Sequence, residues 1–280
     1  MRRPAHAGTF YAGTKDSLEK QIEWCFTHGF GPGKKPRVVS TPVRSVIALI
    51  SPHAGYVYSG PVAAHAYYDL ATDGTPDVVI ALGPNHTGLG SSVAMMAEGK
   101  WRTPLGDVEI DREMAGRISR LAPIIDIDAS AHRYEHSIEV QLAMLQYLYG
   151  SSFKFVPISF MMQDLTTVRE VGGGVAKAAS GTNTVILATT DLTHYEPQEV
   201  ANKKDRLAID AISKLDEELL QRVVESQRIS MCGLAPVMAA IAASRSLGAQ
   251  RASLLSYQTS GDITGDLSAV VGYAAIKISR

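Results

Sequence analysis

Three short segments carry residues whose types and spacing suit chemistry. Ser51-Pro52-His53-Ala54-Gly55-Tyr56, Gly83-Pro84-Asn85-His86-Thr87-Gly88 and Thr189-Thr190-Asp191-Leu192-Thr193-His194-Tyr195 each follow a short apolar run. In the first two, Pro, His and Gly come in that order just past the run. Neutral imidazole is the commonest side-chain ligand for transition metals. Two His at strand ends can hold an ion rigidly, given a third ligand and a position left open for water or substrate. Asp191 and His194 can supply that ligand or act beside it as acid–base partners. The alternative for each residue taken singly is a loop histidine satisfied by hydrogen bonds. The matching context of His53 and His86 favours the metal reading for that pair.

Cys232 stands just before a helical stretch, in Ser230-Met231-Cys232-Gly233-Leu234. A helix N-terminus favours thiolate, and thiolate is a soft metal ligand. The alternative is a small buried hydrophobe. Cys25, between Trp24 and Phe26, reads as core. His136 and Glu139, three apart, can share a helix face as a His/carboxylate pair. Equally, they can flank Ser137 acting as an N-cap. His6, His28, His65 and His132 have no supporting context. Residues 260–266 read as a polar turn between two strands, with Asp262 within reach of the sheet edge.

These segments need elements to position them. Continuous apolar runs at 45–50 (bounded by Pro42 and Pro52), 77–82, 153–158 and 184–188 read as strands buried on both faces. Residues 252–257 and 269–278 read as two further strands. Helical patterns fill 17–26, 61–70, 111–121 (Asp111 as N-cap), 137–149, 165–179, 198–214, 216–226 and 234–246. Strands alternating with helices predict an α/β fold, a mainly parallel central sheet flanked by helices. Ligands bind such sheets at the carboxyl ends of their strands, where His53, His86, Asp191 and His194 fall. Gly172-Gly173-Gly174 lies inside a helical pattern with no Lys-Ser/Thr after it, so close packing fits better than a phosphate loop.

Length and composition agree. The chain has 280 residues, 45% hydrophobic and 20% charged, enough for a sizeable core in a single domain over 1–280. A net charge of −1, from 27 basic and 28 acidic residues, argues against a nucleic-acid partner. No apolar run approaches the ~20 residues of a membrane helix, and no apolar stretch follows the basic Met1-Arg2-Arg3-Pro4 as in a signal peptide. With 2 cysteines, reduced thiols in a cytoplasmic protein are the simplest reading. Motifs for a serine hydrolase or a simple nicotinamide enzyme are absent.

Five segments together carry a resemblance: His6-Ala7-Gly8-Thr9-Phe10-Tyr11, Ser51 through Gly60, Gly83-Pro84-Asn85-His86, Glu135-His136-Ser137-Ile138-Glu139-Val140-Gln141, and Thr190 through Tyr195. They resemble the Memo family, whose prokaryotic members are also called AmmeMemoRadiSam system protein B. The resemblance runs from about residue 4 to the C-terminus. It implies a fold similar to class III extradiol dioxygenases of the LigB type. In those enzymes two His and a Glu hold non-haem iron(II), and a further His is the acid–base. In the Memo family the corresponding set is His, His and Cys, which falls here on His53, His86 and Cys232, with Asp191 and His194 beside the metal. A thiolate favours softer or redox-active ions, so iron or copper is the expected cofactor. The missing carboxylate argues against catechol ring cleavage, and fold alone does not establish function.

The eukaryotic members are associated with cell motility, phosphotyrosine-peptide binding and copper- or iron-linked redox chemistry. The prokaryotic name implies association with a radical SAM protein and an AMMECR1-like protein. Two functions follow as expectations. One is a metal-dependent oxidoreductase, with His194 moving a proton, Asp191 tuning it and Tyr56 shaping the pocket. The other is a non-enzymatic peptide- or protein-binding scaffold on a dioxygenase-like fold.

Overall fold

Runs of aliphatic residues without polar alternation are stable only when both faces are covered. In the computed structural model they form the middle of one sheet. The structure describes residues 1–41 and 43–280; Pro42, read above as a boundary of the first run, lies outside the described residues. In chain order the strands are β1 (Val46–Ser51), β2 (Val78–Pro84), β3 (Val93–Met95), β4 (Lys100–Thr103), β5 (Gly106–Glu109), β6 (Asp126–Ile127), β7 (Lys154–Phe160), β8 (Thr184–Thr189), β9 (His194–Glu196), β10 (Arg251–Thr259) and β11 (Val270–Ser279). The helices are α1 (Lys15–Thr27), α2 (Tyr56–Asp73), α3 (Arg112–Leu121), α4 (Glu139–Tyr149), α5 (Leu165–Ala179), α6 (Gln198–Ser213), α7 (Glu217–Ser226), α8 (Leu234–Ser246) and the single turn α9 (Ser260–Thr264).

The sheet order is β10-β11-β1-β8-β2-β7-β3-β6, with β9 also paired to β11. The four central strands, β1, β8, β2 and β7, are parallel. On one flank β11 runs antiparallel to β1 and β10 to β11; on the other β3 runs antiparallel to β7 and parallel to β6. The expected mainly parallel sheet is therefore present, with mixed edges. Alternate residues of β1, β2 and β8 feed two cores. Ala48, Ile50, Ile80, Leu82, Ile186 and Ala188 pack under α3, α5, α7 and α8. Val46, Leu49, Val79, Ala81, Val185 and Leu187 pack under α1, α2 and α4.

Boundaries differ from expectation where local chemistry overrides pattern. α2 begins five residues before Pro61, at Tyr56. Pro61 has no N–H for the Val57 carbonyl, so the first turn of α2 lacks one backbone hydrogen bond. Ser137 is not an N-cap: its hydroxyl donates to the Pro84 carbonyl, and α4 starts at Glu139. The 260–266 turn contains α9, closed by reciprocal bonds between Thr259 and Asp262, so Asp262 caps a turn and lies outside the site. The short strands β3 to β6 carry too few residues to show a period. Asp111 caps α3 as expected, accepting from the Met114 N–H. No helix among the described residues is long and apolar enough to cross a membrane.

The triple glycine sits between helices. A Cβ at Gly172 would come 2.8 Å from the Ala239 carbonyl oxygen on α8, and one at Gly174 would come 2.7 Å from Ala122. Gly173 faces open space. Gly172→Ala should therefore destabilise by about 1–3 kcal/mol through overpacking. Gly173→Ala should be neutral or stabilise by up to ~1 kcal/mol. Chemical denaturation of the two variants checks this.

Glu217 ties α7 to two neighbours. It meets Arg169 of α5 at 3.0 Å and Arg245 of α8 at 3.0 Å. Burial alone would raise its pKa, but the two guanidiniums and a backbone N–H hold it below the usual carboxylate range. A carboxyl depressed in the folded state stabilises above its unfolded pKa, about 4.3, and loses that contribution as pH falls through the folded value. The melting-temperature deficit of Glu217→Gln should thus be largest near neutral pH and shrink below about pH 4.

Candidate metal centre

β8 lies between β1 and β2, so the loops carrying His53 and His86 leave strands two spacings apart, about 9.6 Å. They lean toward each other over the end of β8. The His53 and His86 ring centroids are 5.1 Å apart at 75°. Cys232 arrives from the loop before α8. Gly233 makes that approach possible, because a Cβ there would run into the Thr189 carbonyl oxygen. Its N–H donates to Thr190 Oγ1 at 2.9 Å, pinning the turn to β8.

The three side chains converge. One ligand atom from each of His53, His86 and Cys232 lies within 4.8 Å of the other two. His53 Nε2 is 3.1 Å from Cys232 Sγ. His53 Nδ1 meets Thr189 Oγ1 at 2.8 Å, and His86 Nδ1 meets Glu135 Oε1 at 2.9 Å. One nitrogen of each ring is thereby held by a protein oxygen, which leaves Nε2 on both for a ligand. That pattern, a ligating imidazole braced through its other nitrogen, is what metal sites use to fix tautomer and orientation. The donor set of two imidazoles and one thiol suits a transition ion and leaves room for a further ligand.

Asp191 belongs to the same cluster. Its Oδ1 accepts from the His53 N–H at 2.9 Å, and its own N–H donates to Cys232 Sγ at 3.2 Å. His194 is tied in less directly. Its Nδ1 faces the Leu192 and Ser230 carbonyls at 2.7 and 2.8 Å, and its N–H donates to Ser230 Oγ at 2.7 Å, two residues before Cys232. It stands outside the His53–His86–Cys232 set. Tyr195 beside it is 78% exposed with φ of 58°, within β9, whose pairing with β11 is irregular.

Burial sets the protonation of the cluster. It pushes the His53 pKa well below its ordinary value, aided by the neighbouring His86. It raises Asp191 above the usual carboxylate range, against the pull of the His53 N–H and His194. It also raises the Cys232 thiol, together with the Asp191 carboxylate. The shift runs opposite to the thiolate expected at the α8 N-terminus, because the sulfur is buried beside Asp191. Glu135 goes the other way. Burial would raise it, but the His86 ring, His136 and the Ser137 N–H hold it well below the usual range.

Two residues of the site escaped the sequence reading in their roles. Glu135 is 1% exposed and braces both the ring and the backbone N–H of His86. His136 stacks on His86 with centroids 4.6 Å apart and faces His53 at 5.4 Å. Burial and His53 bring its pKa down to about 3. The proposed His136/Glu139 pairing is not made. Glu139 points to the N-terminal segment, accepting from the Ala5 and His6 N–H groups and Tyr11 Oη and pairing with Arg2 at 2.6 Å. The sequence signal for Glu135 is its adjacency to His136, one residue away, where the His136–Glu139 spacing of three suggests a different pair. Tyr56 does not line the site; its hydroxyl donates to the Val140 carbonyl and its ring is buried. Cys25 is core, as expected. Of the four histidines without context, His6 packs against His136 at 5.5 Å.

Known proteins agree with this architecture. The chain is 53% identical over 281 residues to a MEMO1 family protein of Methanopyrus kandleri, covering 100% of this chain and 99% of that one. It is 50% identical over 281 residues to a MEMO1 family protein of Sulfolobus acidocaldarius, covering 99% of each. A crystal structure of an uncharacterized protein from Escherichia coli K12 superposes with a TM-score of 0.59 at 12% identity, over 84% of this chain and 100% of that chain, which speaks for the fold alone. The family model described as Memo-like protein matches residues 2–277, and the chain belongs to the Memo family.

Proposed function

We propose that the chain binds one redox-active transition ion, iron or copper, through His53, His86 and Cys232, and carries out metal-dependent redox chemistry there. The observation that supports this is the convergence of two braced imidazoles and one thiol within 4.8 Å at the carboxyl edge of a parallel sheet. Bound there, such an ion supplies one-electron exchange and an open coordination position.

The chain's own residues do the rest. Thr189 and Glu135 each engage Nδ1 of one ring, on His53 and His86 respectively, and so orient both rings with Nε2 toward the ion. The Asp191 N–H stabilises charge on Cys232 Sγ once the thiol gives up its proton. His194, its Nδ1 directed at backbone carbonyls, presents Nε2 as the ring atom that exchanges a proton with a substrate. Asp191, shielded from water, sets the local field in which that transfer happens.

Elemental analysis of untagged protein purified without oxygen should find about one iron or copper per chain, absent from His53→Ala and Cys232→Ser. Protein that is empty and takes up neither ion on reconstitution would sink the proposal and favour the scaffold role. Thr189→Val, which unbraces His53, should weaken metal binding by about 10–100-fold with the circular dichroism spectrum unchanged.

A further inference from the structure

We infer that the same sheet edge holds a second, harder cation site, formed by His136, Glu135 and the Nδ1 side of His86. The inference rests on the proposed role of His53, His86 and Cys232 only in that His86 is shared. One ligand atom each from His86, Glu135 and His136 lies within 4.8 Å of the others. His86 Nδ1 is 2.9 Å and His136 Nδ1 is 3.5 Å from the same oxygen, Glu135 Oε1. Ligands about 2.1 Å from one ion at a right angle stand ~3 Å apart, so these spacings need only small adjustment.

A bracing carboxylate explains the His86–Glu135 contact but not His136. Bracing needs no second imidazole, yet His136 turns its Nδ1 to the braced oxygen at a distance that makes at best a marginal hydrogen bond. Its ring is held there on one side by His86 and on the other by Phe10 at 4.4 Å. Glu135 is almost wholly buried while the His86 side chain is 33% exposed, which leaves an approach for an ion.

The two donor sets differ in hardness. One contains sulfur; the other is two imidazoles and a carboxylate, the set that suits Fe(II) or Mn(II) and leaves open positions. His86 couples them. With its proton on Nδ1 the ring offers Nε2 to the thiol-containing set. With its proton on Nε2 it offers Nδ1 to the carboxylate-containing set. One neutral ring thus serves one ion at a time, and the identity of the ion decides which set closes around it.

The test is Mn(II) titration of the full-length protein, read by electron paramagnetic resonance, with Cu(I) titration in parallel. Wild type and Cys232→Ser should bind about one Mn(II) per chain with similar affinity. His136→Phe, which keeps the stack but removes both nitrogens, should weaken Mn(II) at least tenfold and leave Cu(I) within about threefold; His136→Gln serves as a second variant should Phe disturb the fold. No Mn(II) binding by wild type, unchanged Mn(II) affinity in both His136 variants, or loss of Mn(II) in Cys232→Ser would each overturn the inference. Failure of the thiol-containing site reads out separately, as Cu(I) retained by Cys232→Ser.

Discussion

Thr189, Thr190 and Asp191, at the carboxyl end of β8, hold both loops that carry the thiol and the nearer imidazole. Thr189 Oγ1 meets the His53 ring, Thr190 Oγ1 accepts from Gly233, and Asp191 bonds the backbone of His53 and the sulfur of Cys232. β8 is flanked by β1 and β2, so its end lies between the strands that lead to His53 and His86. The network continues inward: Gln141 Nε2 donates to Thr189 Oγ1 and to the Pro52 carbonyl, and Tyr67 Oη donates to Gln141. His53 and Asp191 are therefore fixed by buried polar contacts whose loss would leave an unpaired group in the interior.

That arrangement concentrates groups that repel when charged. His53, His86 and His136 lie with ring centroids within 5.4 Å of one another. Burial resolves the conflict by keeping His53 and His136 neutral, while Glu135 stays ionised among them. The result is a cluster of lone pairs with a buried carboxylate beside it. Such a cluster is poorly suited to hold protons and well suited to hold a cation. A cation would also reverse the position of Cys232, whose thiol is kept protonated by burial and by Asp191 in the protein alone.

How much of this could be read in advance followed from how each feature is written in the chain. β1, β2, β7 and β8 each centre on a short apolar run, so their existence and their parallel pairing were legible. Because they are parallel, residues just past their ends share an edge, and that alone placed His53, His86 and Asp191 together. β3 to β6 span two to four residues each and are held by neighbours, as with Val93 and Met95 against β7; no period survives at that length. Glu135 and His136 enter from a loop before α4 with no strand to announce them. Their place depends on Ser137 reaching Pro84, a contact between distant segments that spacing does not encode.

The outer wall of the site is brought in from the far end of the sequence. Phe10 and His6 back His136, and they are held by Glu139, which is fully buried. Glu139 collects the Arg2 guanidinium, two backbone N–H groups and a tyrosine hydroxyl, so its charge is met on every side. Arg2 in turn donates to the His132 and Glu135 carbonyls and lies 4.1 Å over Trp101. A buried ion pair of this kind adds little net stability over an apolar contact of the same shape. What it does is demand one partner: no apolar segment could satisfy Glu139, so residues 2–11 have a single place to dock. The position of the His136 ring follows from that docking, and with it the shape of the space in front of His53 and His86.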